Sequence, residues 1–112
     1  MAKEQLPPVT RERIEKILSE HDNVLFMKGM KSMPQCGFSA RVVQILTHFG
    51  ADFHVVNVLA DPEIREGIKV YADWPTIPQL YHKGSFLGGC DIVSSMAEKG
   101  QLPEALELGP PA

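Results

Sequence analysis

The alternation of apolar and polar positions predicts a chain in which helices and strands take turns. Ile14, Ile17 and Leu18 recur at helical spacing after Thr10, which is expected to cap a first helix. Residues 23–28 carry the unbroken apolar run Val24-Leu25-Phe26-Met27, the pattern of a strand buried on both faces. Residues 29–35 read as a loop. Helical spacing returns over 37–49, with Val42, Val43, Ile45 and Leu46 available for a core and Gly50 as the C-terminal stop. Residues 53–58 form a second β-rich run. Asp61-Pro62-Glu63 then assembles a helix start from a cap, a proline at the first helical position and an acid on the dipole. Ile64, Ile68 and Tyr71 continue that helix. In Trp74-Pro75-Thr76-Ile77-Pro78 each proline pushes its predecessor out of the helical region, so this stretch is extended or turned. Residues 79–82 and 85–88 predict a hairpin across Lys83-Gly84. A helix over 91–99, stopped by Gly100, and a short helix after Pro103 complete the chain.

The order α-β-α-β-α-β-β-α joins a βαβ unit, whose strands pair in parallel, to an antiparallel hairpin. The fold class is therefore α/β, with a four-stranded mixed sheet flanked by helices. Leu6-Pro7-Pro8-Val9 and Gly109-Pro110-Pro111-Ala112 read as frayed ends. One domain at 10–108 is expected between a flexible lead, 1–9, and a tail, 109–112.

Composition narrows the function classes. A chain of 112 residues buries a core without disulfide staples. Its formal net charge of −3 argues against nucleic acid or an anionic membrane as a partner. Two widely spaced cysteines do not form a secreted disulfide framework, and no apolar stretch approaches membrane-spanning length. A cytoplasmic location is expected, a bacterial cytosol first, with a processed organellar form as the alternative.

The chemistry concentrates in Cys36-Gly37-Phe38-Ser39. A redox dithiol motif needs a second thiol at position 39, and a serine stands there. Cys36 falls at a loop–helix junction, where unpaired N–H groups and the helix dipole favour the thiolate. Gly37 leaves room for another molecule against the backbone, and Lys28 brings positive charge from the end of the preceding strand. The flanking Pro34, Gln35, Gly37 and Ser39 are not core-like, which favours a reactive over an inert sulfur. Three chemistries follow: attack on a glutathione mixed disulfide, pairing with the distant Cys90, or metal ligation. A [2Fe–2S] cluster usually needs four thiolates, so one such cysteine cannot hold it, whereas two protomers plus two glutathiones can.

Lys28, Cys36-Gly37-Phe38-Ser39, Trp74-Pro75-Thr76-Ile77-Pro78-Gln79-Leu80 and Gly88-Gly89-Cys90-Asp91, in that order, resemble the monothiol glutaredoxins of the CGFS class. The resemblance spans about residues 10–108 and implies a thioredoxin-like (glutaredoxin) fold. It implies a glutathione site in which Lys28 and Arg65 hold the glycine carboxylate, Ile77 pairs its backbone with the cysteinyl part, and Pro78 is cis. It places the γ-glutamyl carboxylate on the N–H groups of Cys90 and Asp91, the Asp91 carboxylate against the ligand's ammonium group, and Gly37, Phe38, Thr76 and Gly89 at the same site. It further implies a homodimer around one [2Fe–2S] cluster, ligated by Cys36 of each protomer and by two glutathione thiolates. The implied function is to carry and transfer that cluster in iron–sulfur protein maturation and iron homeostasis, with BolA-like proteins and apo iron–sulfur clients as partners. The alternative is a glutathione-dependent thiol–disulfide oxidoreductase, weak at most, acting through a Cys36–glutathione mixed disulfide. One departure stands out: Gly29-Met30-Lys31-Ser32-Met33-Pro34 lacks the family's early proline and carries two methionines and an extra lysine.

Other residues take plainer readings. His21, His48, His54 and His82 lack metal-ligand spacing and read as structural or surface residues. Gly84, Gly88 and Gly89 do not follow a dinucleotide-binding pattern. Of Met27, Met30 and Met33 only Met27 reads as core, and Trp74 reads as a partly buried anchor that can also shape a ligand groove.

Overall fold

The computed structural model describes residues 3–108. A 3₁₀ turn at Lys3–Gln5 precedes α1 (Pro8–Glu20), β1 (Asn23–Met27), β2 (Gly29–Met30), β3 (Met33–Pro34) and α2 (Gly37–His48). After β4 (His54–Asn57) come α3 (Pro62–Ala72), the hairpin β5 (Gln79–His82) and β6 (Ser85–Gly88), α4 (Cys90–Glu98) and α5 (Leu102–Ala105). Four strands form one sheet in the order β4-β1-β5-β6. β1 runs parallel to β4 and antiparallel to β5, and β5 is antiparallel to β6, so the sheet is mixed as expected.

β1 is central, and its five residues are all buried. Alternate side chains go to opposite faces of a strand, and the two cores divide accordingly. Val24 and Phe26 pack with Ile14 and Leu18 of α1 and with Ile64 and Ile68 of α3. Leu25 and Met27 pack with Val42, Val43 and Leu46 of α2, Val93 of α4, and Leu102 and Leu106. The continuous apolar run is thus the middle layer of a helix–sheet–helix sandwich. No helix among the described residues is long and apolar enough to cross a membrane.

Local chemistry explains the joints. The Asp61 side chain caps α3 by accepting from the Ile64 N–H at 3.2 Å, with Pro62 in the first turn. Lys83 (φ 48°) and Gly84 (φ 81°) supply the two left-handed residues that a tight two-residue hairpin turn requires.

Four expectations are corrected. Thr10 is not a cap: α1 begins at Pro8, and the Thr10 hydroxyl donates to Glu63 on α3 at 2.7 Å. The lead is partly folded, since Leu6 is buried in the α1–α3 core. The loop 29–35 contains a two-stranded ribbon, β2 against β3, with Met30 opposite Met33. Lys31 at its tip lies 3.9 Å over the Phe53 ring and donates to the Phe53 carbonyl at 3.3 Å, which ties the departing segment to the start of β4. Finally, α4 begins at Cys90, one residue early, because Gly89 is the extended N-cap. The expected tail, 109–112, lies outside the described residues.

Candidate functional site

Cys36 is the half-buried N-cap of α2, in extended conformation (φ −149°, ψ 137°). Its thiol is held below the ordinary cysteine value, chiefly by hydrogen bonding from the Ser39 N–H. The Phe38 N–H, the Lys28 charge and the Ser39 hydroxyl act in the same direction, and partial burial opposes them. A helix N-terminus therefore does here what the sequence pattern led us to expect.

The segment before Cys36 is fixed by backbone bonds. The Gln35 N–H donates to the Lys28 carbonyl at 2.9 Å, and the Lys28 N–H donates to the Ser39 hydroxyl at 3.1 Å. Gly29 has φ 99°, and a Cβ there would lie 2.6 Å from the Gln35 nitrogen, so only glycine fits. The Asn57 side-chain oxygen accepts from the Gly29 N–H at 2.9 Å and ties β2 to the end of β4.

Cys36 opens onto a groove of about 450 Å³, within the size range of small-molecule sites. Three cations line it: Lys28 from the end of β1, and Arg65 and Lys69 one turn apart on α3. Trp74, Pro75, Thr76, Ile77 and Pro78 form one wall, and Gly89, Cys90 and Asp91 form the far end at the N-terminus of α4. The Ile77–Pro78 peptide is cis, as expected. Phe38, on the Cys36 side, is 64% exposed, an unusual state for a large apolar side chain beside a groove.

Two atoms in this lining have no hydrogen-bond partner although they are buried: Arg65 Nε and the indole nitrogen of Trp74. Unpaired buried donors in a concave site are places where a ligand's acceptors are favoured. At the far end, a Cβ on Gly89 would lie 3.2 Å from the Trp74 indole nitrogen and 3.3 Å from the Pro78 carbonyl oxygen. The glycine keeps that floor open.

Nearly all of the sequence-derived site residues converge. Lys28, Cys36, Phe38, Arg65, Thr76, Ile77, Pro78, Gly89, Cys90 and Asp91 all line the groove. Gly37 does not; it is exposed in the first turn of α2, with nothing within 4 Å of a Cβ built on it. Both cysteines are free thiols. The histidines sit elsewhere: His21 stacks on His54 with ring centroids 3.9 Å apart, and buried His82 bridges Asn23 and Glu107. Among the described residues no group of three or more His, Cys, Asp and Glu is placed to hold a metal ion.

Three participants have no site role assigned from the sequence, although Pro75 and Gln79 stand inside the quoted Trp74–Leu80 motif. Lys69 reaches the groove because it follows Arg65 by four positions, a spacing that puts both on one helix face once α3 is docked. Pro75 lines the groove beside Trp74. Gln79 is the third: it is fully buried and donates to the carbonyls of Trp74 and Thr76, each at 3.1 Å. It also accepts from the Tyr81 hydroxyl at 3.1 Å, so one amide pins the groove wall to the sheet.

Comparison with known proteins agrees with this geometry. Residues 23–87 match the family model for Glutaredoxin. A monothiol glutaredoxin of Synechocystis sp., ycf64-like and uncharacterized, is 52% identical over 101 residues, covering 90% of this chain and 94% of that protein. The mitochondrial monothiol glutaredoxin-5 of Saccharomyces cerevisiae is 49% identical, covering 87% of this chain and 67% of the yeast protein. Some relatives are longer: the chain spans 61% of the chloroplastic monothiol glutaredoxin-S7 of rice. Among solved structures, reduced apo GrxS14 of poplar superposes with a TM-score of 0.77 at 48% identity, over 87% of this chain and 89% of that one. A buckwheat glutaredoxin–glutathione complex, 20% identical with a TM-score of 0.78, shares the fold over 88% of both chains. With its thioredoxin-like sheet, single thiol at the start of α2 and relatives of about 50% identity along nearly its whole length, the chain belongs to the glutaredoxin family, among its monothiol members.

Proposed function

We propose that this protein binds glutathione in the groove beside Cys36 and carries a [2Fe–2S] cluster as cargo between donors and apo iron–sulfur proteins. The observation that carries the reading is the convergence of one thiolate-favouring cysteine with separated charges of opposite sign along a single groove. Lys28, Arg65 and Lys69 suit a carboxylate at one end, and Asp91 suits an ammonium group at the other. The N–H groups at the start of α4 suit a second carboxylate. Glutathione has these groups and presents its thiol between them. The orphaned Arg65 Nε supports such a fit, because a bound carboxylate would satisfy it.

The residues fit a shared cluster better than a resident one. One chain offers Cys36, the thiol held toward its thiolate form, as a metal ligand, so four thiolates require two protomers and two glutathiones. Exposed Phe38 beside Cys36 gives the two protomers apolar surface to cover. Half of that ligand set exchanges with free glutathione, which suits transfer. Transfer to BolA-like proteins and apo clients, in a bacterial cytosol and in the service of iron homeostasis, completes the proposal.

The experiment is anaerobic reconstitution with iron and sulfide, with and without glutathione, read by visible absorbance. The expected outcome is colour that requires both glutathione and Cys36. A folded, reduced protein that stays colourless with glutathione present contradicts the reading.

The depressed Cys36 thiol also favours a second reading, glutathione-dependent thiol–disulfide exchange. The Cys36 thiolate attacks the glutathione sulfur of a mixed disulfide, releases the protein thiolate and becomes Cys36–S–S–glutathione. A second glutathione thiolate then frees Cys36 and leaves as glutathione disulfide, so the electrons balance. Turnover in a glutathione-coupled assay that exceeds that of Cys36→Ser by orders of magnitude would promote this reading above the first.

A further inference from the structure

Trp74 is the only tryptophan of the chain, and its contacts fix it in the groove wall. Its backbone N–H donates to the Lys69 carbonyl at 3.0 Å, and its carbonyl accepts from the Gln79 side chain at 3.1 Å. The ring packs against Phe86 with centroids 5.7 Å apart. Yet the indole nitrogen is buried and has no hydrogen-bond partner. An indole nitrogen is a donor only, so without an acceptor it stays unpaired at a cost.

Gly89 marks the space beside that donor. Its backbone is extended (φ −91°, ψ −163°), a conformation open to other residues, so the chain path does not demand glycine there. The demand is spatial: a Cβ would lie 3.2 Å from the indole nitrogen and 3.3 Å from the Pro78 carbonyl oxygen. Gly89 is also the N-cap of α4, a nine-residue helix whose first residues, Cys90 and Asp91, line the groove. The first N–H groups of a helix have no partner within it. The unpaired indole donor and these backbone donors therefore meet at one corner of the groove. A carboxylate, with two oxygens and a full charge, serves both sets of donors.

We propose that the Trp74 indole N–H is a specificity-determining donor of this groove: it donates to the α-carboxylate of a γ-glutamyl ligand, and Gly89 leaves that donor uncovered. The assignment rests on the glutathione reading and adds to it the residue that tells an α-carboxylate from its absence. The test uses the reduced full chain in phosphine, without iron. A single tryptophan gives a single indole N–H resonance in a proton–nitrogen correlation spectrum. Saturating glutathione should move that resonance downfield. The analogue γ-aminobutyryl-cysteinylglycine, which lacks only the α-carboxylate, should leave it in place. By calorimetry the wild type should prefer glutathione to the analogue, and Trp74→Phe should shrink that preference roughly tenfold. Gly89→Ala, with its fold checked by circular dichroism, should weaken glutathione and leave the analogue unchanged. Packing lost with the indole affects both ligands alike, so the ratio isolates the hydrogen bond. An indole resonance unmoved at saturation overturns the proposal, and so does an undiminished preference in Trp74→Phe. The spectrum needs no substitution, so it decides the matter even where a variant does not fold. Binding seen at other resonances with an unmoved indole sinks this assignment alone, whereas no binding of glutathione by the wild type sinks the glutathione reading as well.

Discussion

Replacing Gln79 by leucine should cost about 3 kcal/mol of stability and loosen the groove wall. The side chain is fully buried, and Tyr81, its neighbour two residues on, is 1% exposed. The substitution removes two donated bonds, to the carbonyls of Trp74 and Thr76, and one accepted from the Tyr81 hydroxyl. Each buried group left unpaired costs about 1–3 kcal/mol, taken as about 2 for the enclosed Tyr81 O–H and about 1 for each of the two loop carbonyls, which lie nearer solvent. The leucine recovers roughly 1 kcal/mol by apolar burial, which leaves the net figure near 3. Urea unfolding measures it directly, and calorimetric titration with glutathione should show weaker binding because the Trp74–Thr76 wall has lost its anchor. The double variant Gln79→Leu/Tyr81→Phe should be about 2 kcal/mol more stable than Gln79→Leu alone, because the stranded hydroxyl is then gone. A loss below about 1 kcal/mol for the single variant, or a double variant less stable than the single, would refute the reasoning.

Other outcomes follow from the charges. Lys69→Met and Lys28→Met should each weaken glutathione binding about five- to tenfold in low salt and less in high salt, while Lys99→Met, on the exposed end of α4, should not. The acid limb of stability should involve Arg13, which bridges Asp61 and Glu63 across α1 and α3. Arg13 lowers the Asp61 carboxyl, and the Thr10 hydroxyl followed by Arg13 lowers Glu63. A depressed carboxyl adds stability that is full above its unfolded value and is lost as pH falls through its folded value. The urea midpoint should therefore hold down to about pH 5 and fall progressively below it, through about pH 3, and fall less steeply in Arg13→Met. Equal slopes in the two proteins would show that this bridge does not carry the acid sensitivity.

The frame of the molecule was readable because its signals are local or strongly periodic. Val24 to Met27 announced a strand buried on both faces, Asp61-Pro62 a helix start, and Lys83-Gly84 a hairpin turn, and each is in place. The ribbon at 29–34 was not readable, because Met30 and Met33 are exposed and its pairing depends on Gly29 and on the Asn57 side chain, 28 residues away. Thr10 misled for a similar reason: its hydroxyl has a partner 53 residues on, which no local cap rule can see. At the site, most residues of the quoted motifs line the groove, whereas Lys69, outside any motif, and Gln79, inside one, gain their importance only through tertiary placement. Ser39 is the instructive case. As a letter in the sequence it is a missing thiol, and in the fold it is a buried hydroxyl joined to the end of β1.

The central claim is that this groove holds glutathione so that two copies of the chain can share one cluster. Native mass spectrometry of the coloured fraction after anaerobic reconstitution tests it most directly. The account predicts a species of two chains, one [2Fe–2S] unit and two glutathiones, which falls apart to single chains when the cluster is removed and is absent for Cys36→Ser. A cluster retained by a single chain, or by two chains without glutathione, would contradict it.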